Sequence, residues 1–531
     1  MSLTPYFIDW LVWGNMIIQI FFLGFSLILT LLFFLYGFNH YYLLSKAARY
    51  SSPDLADTPA YRPHVAIHLP VYDEKYVIRR LVDACADMAE AYGSERVRIL
   101  IIDDSDDDTA IEIDEVVKEY LKKHLQIEVL RRASRTGFKA GALQAGLEKT
   151  EEEFIAIFDA DFIPPADFLI RTLPYFVQDV DLGVIQTRWT HLNRDYSLLT
   201  RAIAIGIDVH FFIEQAGRYV AECFQNFNGS GFVLRRKALL EAGGWQTDTL
   251  AEDLDASYRI HLCGYRLLYL KDLQSPGEIP PTVPSFKKQQ NRWACGSLKT
   301  ARKILPTLLT DHALGFKKRF QAFIHLTGYM VHPLMFTSFL MACLATFFQV
   351  DSFRIAQVQL LIQYGSNLGA MRAYPPLILQ NLTWILVGLM IVLCTVAAWI
   401  PPIVTLRAQG LPVSRNLSSL AVLFLLGFGI SISNTVEAGK ALFTNRDWVF
   451  NRTPKYAIRH NREKWREMKY QVPLDFVSYL EIFFVLLGAV AISDAIWRSN
   501  FGVLLILIPY TAAYAFVSWL TIRQSWPERG T

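Results

Sequence analysis

Two aspartates one residue apart close an apolar run in "EFIAIFDADF": Asp159 and Asp161. In extended backbone, residues i and i+2 point the same way. Two carboxylates side by side repel unless a cation lies between them. Hard oxygen ligands suit Mg²⁺ or Mn²⁺, and Mg²⁺ is commonly shared with substrate phosphates. This turn is therefore a candidate metal and diphosphate site. Other acids follow apolar runs too: "LPVYDE" offers Tyr72, Asp73 and Glu74, "IIDDSDDDT" begins with Asp103 and Asp104, and "LAEDLDASYRI" presents Glu252 and Asp253. An acid at such a turn often only caps a helix, and Asp106 to Asp108 are assigned that role. Asp253 has a second reading, because a general base needs one carboxylate in reach of a hydroxyl. In "RTGFKAGAL" (135–143), Lys139 and its flanking glycines suit phosphate at a helix start. An ordinary helix N-terminus with a solvated lysine fits those residues equally.

The elements that must position these groups are legible in the hydrophobic pattern. "HVAIHLP" (64–70), "RVRILIID" (96–103), "IEVLRR" and "EFIAIFD" (153–159) are predicted strands. "EKYVIRRLVDACADMAEAY" and "IEIDEVVKEYLKKH" are predicted helices between them. Val-, Ile- and Leu-rich strands alternating with helices imply a mostly parallel sheet covered on both faces. Ligands of such sheets bind beyond the carboxyl ends of the strands, where the acids stand.

The remainder is greasy. Hydrophobic residues make up 52% of the 531 residues and mean hydropathy is +0.24, which suggests one soluble domain plus several spans. A net charge of +3 implies no general attraction to nucleic acid. The six cysteines form no C-x-x-C pair and are expected to be reduced packing residues. About 20 apolar residues cross a bilayer, and residues 16–38, 323–349, 380–402, 474–494 and 501–521 qualify. Segment 417–433 is apolar but short and is expected to dip without crossing, which leaves five crossings. The leader before the first span has no Lys or Arg, whereas 440–470 is strongly basic, so the polar domain is expected in the cytoplasm. The organisation is then a span in 1–44, a catalytic domain over 45–320 with an interfacial helix near 290–318, and a membrane region over 321–531.

Taken in order, "LPVYDE", "DDSDDDT", "RTGFKAGAL", "IFDADF", "NFNGSGFVLRR", "EAGGW", "AEDLD" and "QQNRW" resemble the family 2 glycosyltransferases, and among them the cellulose synthase-like mannan and glucan synthases. The resemblance implies an α/β GT-A (Rossmann-like) domain inserted between transmembrane helices. It implies inverting, metal-dependent hexosyl transfer from UDP-glucose or GDP-mannose to a growing β-linked polysaccharide. By the same resemblance, Tyr72, Glu74 and Asp104, with Asp103 as an alternative, hold the nucleoside, and Lys139 meets the diphosphate. Asp159 and Asp161 bind the divalent ion, Asp253 is the base with Glu252 beside it in the substrate site, and Ala251 replaces the family's Thr. "QQNRW" matches Q-x-x-R-W: Arg292 can grip the diphosphate, Trp293 offers the acceptor sugar a flat face, and Gln289 hydrogen-bonds nearby. An interfacial anchor is the plainer role for a tryptophan there. "FNGSG" resembles an acceptor-lining segment, giving Phe227, Asn228 and Gly229; a tight turn is the alternative. "FNRTPK" (450–455) resembles a gating segment within 440–472 through Phe450 and Thr453, with Arg452 where Val is usual. That basic run can also contact anionic lipid. His325, His332 and Asn381 are candidates to line a glycan path, or to hydrogen-bond between helices. Two rivals stand: a single-transfer enzyme acting on a lipid acceptor, and a transporter or scaffold that senses a nucleotide sugar.

Overall fold

The computed structural model describes residues 4–54, 61–350, 377–444, 453, 455–458 and 472–525. A long apolar helix α1 (Thr4–Ala47) leads into β1 (Val65–Val71), α2 (Ile78–Tyr92), β2 (Val97–Asp103), α3 (Thr109–Lys122), β3 (Ile127–Arg131), α4 (Phe138–Lys149) and β4 (Phe154–Ile157). Then follow α5 (Phe168–Gln178), β5 (Leu182–His191), α6 (Leu198–Val209), a π-helical stretch (His210–Gln215), α7 (Ala216–Val220), β6 (Phe232–Arg235), α8 (Arg236–Glu241), α9 (Glu252–Leu262) and β7 (Arg266–Gly277). The four predicted strands and two predicted helices are present within a few residues of their expected ends. Helix α2 starts late because Asp73, at φ 53, turns the chain sharply after β1.

The sheet order is β3-β2-β1-β4-β6-β5-β7. Its pairs are parallel except those β6 makes with β4 and β5. Side chains alternate across it. Ile99 and Ile101 join one core with α2 and α3, while Leu100 and Ile102 join the other with α4 and α9. Both faces are dry, which is why the strands are continuous apolar runs. The register sets Val71 opposite Asp103 and His68 opposite Ile157, so three acid-bearing strand ends are neighbours. This α/β domain, of the GT-A type the motifs imply, sits between apolar helices.

After β7 come α10 (Val283–Thr310), α11 (Phe316–Leu326), α12 (Val331–Phe347), α13 (Leu377–Ala408), α14 (Leu417–Gly429), α15 (Ser431–Phe443), α16 (Phe476–Trp497) and α17 (Phe501–Ser525). Six described segments are long and apolar enough to cross a membrane, the five expected spans and one more. The protein is a multi-pass membrane protein. The additional segment is Val413–Phe443, in which Ile430 interrupts the apolar helix and separates α14 from α15. All six cysteines are free; Cys263, at the end of α9, is exposed, so its packing role does not hold.

Candidate active site

Two glycines bring the parts of the site into contact. A Cβ on Gly296 in α10 would lie 2.7 Å from the Ala251 Cβ and 2.9 Å from its backbone nitrogen, so α10 lies tightly on the start of α9. Gly229, at φ +76, passes so close that a Cβ would sit 3.1 Å from Asp253 Oδ2 and 3.4 Å from Lys139 Nζ. Only a residue without a side chain tolerates both that backbone angle and that approach.

Lys139 is the hub. Its ammonium lies 2.7 Å from Asp159 Oδ1 and 3.4 Å from Glu252 Oε1 and donates to the Gly229 carbonyl at 2.8 Å. Burial opposes its charge, but the Asp159 and Glu252 carboxylates outweigh burial and hold it protonated above the usual lysine range. Asp253 goes the other way. Burial, then the neighbouring Glu252 carboxylate, push its carboxyl up to about 7, against the pull of Lys139. A carboxyl tuned to neutral pH in a cleft is suited to proton transfer. The next acid along, Asp255, is fully buried and paired with Arg259 and Lys303 at 2.8 and 2.9 Å, so it fastens α9 to α10.

The "QQNRW" stretch lies inside α10, which starts well before the expected 290 under a Thr282 cap that accepts from the Ser285 amide. Gln289, Arg292 and Trp293 are therefore spaced i, i+3, i+4 on one helical face, and that face lines the same cleft as Lys139, Asp159 and Asp253. Glu481 in α16 pairs with Lys287, one turn earlier, at 2.7 Å, with both side chains buried.

Residues 66–241 match the family model "Glycosyl transferase family 2", and residues 154–407 match "Glycosyl transferase family group 2". The chain belongs to the family 2 glycosyltransferases. A probable glucomannan 4-beta-mannosyltransferase 9 of Oryza sativa subsp. japonica is 36% identical over 281 residues, covering 52% of this chain and 53% of the relative. Glucomannan 4-beta-mannosyltransferase 2 of Arabidopsis thaliana is 36% identical over 261 residues, covering 48% of each. Glucomannan 4-beta-mannosyltransferase 1 of Oryza sativa subsp. japonica is 32% identical over 323 residues, 59% of this chain and 62% of the relative. The chain thus spans about half the length of the first of these relatives. A mannosyltransferase from Pyrobaculum calidifontis, solved in complex with GDP-Man and Mn²⁺, overlaps 70% of this chain and 97% of its own at a TM-score of 0.49 and 20% identity.

Against this family 2 frame, Tyr72, Glu74, Asp104, Lys139, Asp159, Asp161, Asn228, Gly229, Glu252, Asp253, Gln289, Arg292, Trp293 and Thr453 all line one cleft. Asp103 does not. Its carboxylate accepts from Arg131 Nε at 2.9 Å and from the Ser105 amide at 3.0 Å, which builds the turn that Asp104 occupies. Phe227 is core, stacked on Phe232 at 4.5 Å and fully buried, because its amide is tied to Ser257 Oγ of α9. Phe450 lies outside the described residues, as does the side chain of Asn381. Asp107 takes the capping role expected of the acidic run, accepting from the Thr109 amide at 2.9 Å. His325 bonds the Tyr258 hydroxyl at 2.9 Å, the interhelical alternative.

Four contributors were missed. Arg135 stacks 3.3 Å over the Tyr72 ring at the cleft wall, although it opens the quoted "RTGFKAGAL". Lys455, the last residue of "FNRTPK", pairs with Asp161. Below Asp161, Arg80 pairs with the buried Glu278 at 2.9 Å. The amides of Glu278 and Tyr456 donate to Asp161 O at 3.2 Å and Glu278 Oε1 at 3.0 Å. Nothing in the local sequence marks Arg80 or Glu278, because their pairing depends on the β7 end crossing under the D-x-D turn.

Proposed function

We propose that this family 2 chain is an inverting, processive hexosyltransferase that extends a β-linked polysaccharide and passes it through its membrane helices. The printed names of the relatives favour mannan and hence GDP-mannose over UDP-glucose as donor. The single observation carrying this reading is geometric: the Asp253 carboxyl meets Lys139, Arg292 and Trp293 in one cleft.

In the proposed reaction, Tyr72, Glu74, Asp104 and Arg135 hold the nucleoside, while Lys139 and Arg292 meet the diphosphate. Trp293 supports the acceptor sugar. Asp253 takes the proton from the acceptor hydroxyl, whose oxygen bonds to the anomeric carbon as the bond to the diphosphate breaks on the opposite face. One displacement converts an α-linked donor into a β-glycoside. Asp159 and Asp161 suit a divalent ion. Asp161 is buried, with Oδ2 paired to Lys455, and its Oδ1 makes no hydrogen bond among the described residues, so one buried acceptor is left without a donor at the cleft wall. Among the described residues no three acidic, His or Cys side chains could enclose a cation, which suits an ion shared with substrate phosphates. When bound, Mg²⁺ or Mn²⁺ would neutralise the departing nucleoside diphosphate. Lys455 pairs with Asp161, so Val413–Phe443 returns to the catalytic side, and the basic stretch 440–470 then supports a cytoplasmic catalytic domain. Thr453, at the cleft wall, supports a gating role for its segment.

The test supplies detergent-purified protein with Mn²⁺ and a panel of GDP- and UDP-sugars, then treats the product with an endo-β-mannanase. Material made from GDP-mannose and degraded by that enzyme supports the reading; no glycan from any donor would refute it.

A further inference from the structure

A second cavity, of about 520 Å³, lies beside the cleft where the end of α13 meets the α/β domain. Its walls include Arg188, His191, Arg194, Lys271, Asp208 and Gln409. The acid Asp208 is already used: His191 Nε2 lies 3.1 Å from one oxygen and Arg194 Nη1 2.9 Å from the other. Arg194 Nη1 also donates to the Gln409 side-chain oxygen at 3.0 Å, which ties β5's end to the end of a candidate membrane span. Arg194 Nη2 is buried and makes no hydrogen bond among the described residues. Arg188 donates its Nε to the Lys271 carbonyl at 2.8 Å and lies 4.9 Å over the Phe212 ring, and the Lys271 ammonium lies 4.3 Å over Tyr50, so each faces a ring and not a carboxylate. Neither Arg188 nor Lys271 has a carboxylate within ion-pair distance among the described residues. Burial, with Arg188 beside it, holds Lys271 below the usual lysine range despite the pull of Asp272.

Buried donors without acceptors are costly, as are half-buried cations without a counter-charge. A ligand bearing an oxyanion would supply both needs at once. We propose that this cavity is a binding site for a phosphate group at the membrane boundary, separate from the donor site. Thr190 and His191 line both cavities, so the bound phosphate would brace the wall of the catalytic cleft. A lipid headgroup and a soluble phosphate present the same chemistry.

The test uses full-length protein in nanodiscs of phosphatidylcholine alone or with phosphatidylglycerol, with inorganic phosphate and pyrophosphate as soluble probes. Native mass spectrometry reads retained phosphatidylglycerol, and thermal shift reads the soluble probes. The proposal expects wild type to bind at least one probe and Arg188→Gln/Lys271→Gln to bind it at least tenfold more weakly. Retained phosphatidylglycerol without a response to soluble phosphate assigns a lipid source; the reverse assigns a soluble one. If the double variant does not fold, Lys271→Gln alone, whose ammonium makes no hydrogen bond among the described residues, is expected to weaken binding at least threefold. No binding by wild type, or equal binding by a folded variant, overturns the proposal.

Discussion

Replacing Asp253 by Asn removes a proton acceptor while leaving its surroundings in place. The Leu254 amide now donates to Asp253 Oδ1 at 2.8 Å, a bond that an Asn oxygen can keep. Lys139 retains Asp159 at 2.7 Å and the Gly229 carbonyl at 2.8 Å. Donor binding should change little, and the loss should fall on turnover. A positioned base contributes roughly 10²- to 10⁴-fold, or about 3 to 5.5 kcal/mol of barrier. The wild type carries a second signature. With the carboxyl raised to about 7 in the free protein, kcat/KM should fall as pH drops below neutral, to about a tenth of its plateau at pH 6. The assay is release of nucleoside diphosphate from the accepted donor, followed from pH 5.5 to 8.5. An Asn variant keeping more than about a tenth of the wild-type rate, against the expected minimum of ~10²-fold, would refute the assignment. So would a wild-type profile that is flat from pH 8 to 5.5.

Lys139→Met should lower kcat/KM at least ~100-fold, since it removes both a diphosphate contact and the charge that restrains Asp253. Whatever activity remains should show its acid limb at higher pH than wild type, which a pH profile reads. Gly296→Val sets a branched side chain against the Ala251 backbone. It should cost about 1–3 kcal/mol by overpacking and abolish most activity, seen as a lower Tm in detergent. His68 is fully buried and paired with Thr150 at 2.7 Å, and burial pushes its imidazole down to about 3. The unfolded chain takes up that proton first, so stability is held above the unfolded value of ~6.5 and lost as pH falls from there toward about 3. By pH 5 wild type should lose about 2 kcal/mol through this group, and His68→Gln correspondingly less, read by comparing their unfolding at pH 7.5 and 5.

Much of this was legible because its signals are local. The strand runs and the acids that end them share a few residues, and the parallel register delivers those ends side by side. Gln289, Arg292 and Trp293 are spaced for one helical face, so their convergence follows once α10 is known to be a helix. The misses have a common cause. Phe227 and Asn228 are adjacent, and which one enters the cleft is decided by the hydrogen bond that the Phe227 amide donates to Ser257 Oγ, 30 residues away. Asp103 and Asp104 are likewise neighbours, separated by Arg131 and Arg132, which take one carboxylate each. The Arg80–Glu278 pair and the cavity at Arg194 depend on how distant segments pack, and no local pattern encodes that.

Repeated transfer to one growing chain is read from product length early in the reaction. Detergent-purified protein would receive Mn²⁺, labelled GDP-mannose and excess acceptor, and glycans would be sized while most acceptor remains unextended. The account predicts long β-linked chains beside untouched acceptor, and none from Asp253→Asn. A single sugar on each acceptor, or on a co-purified lipid, would contradict it.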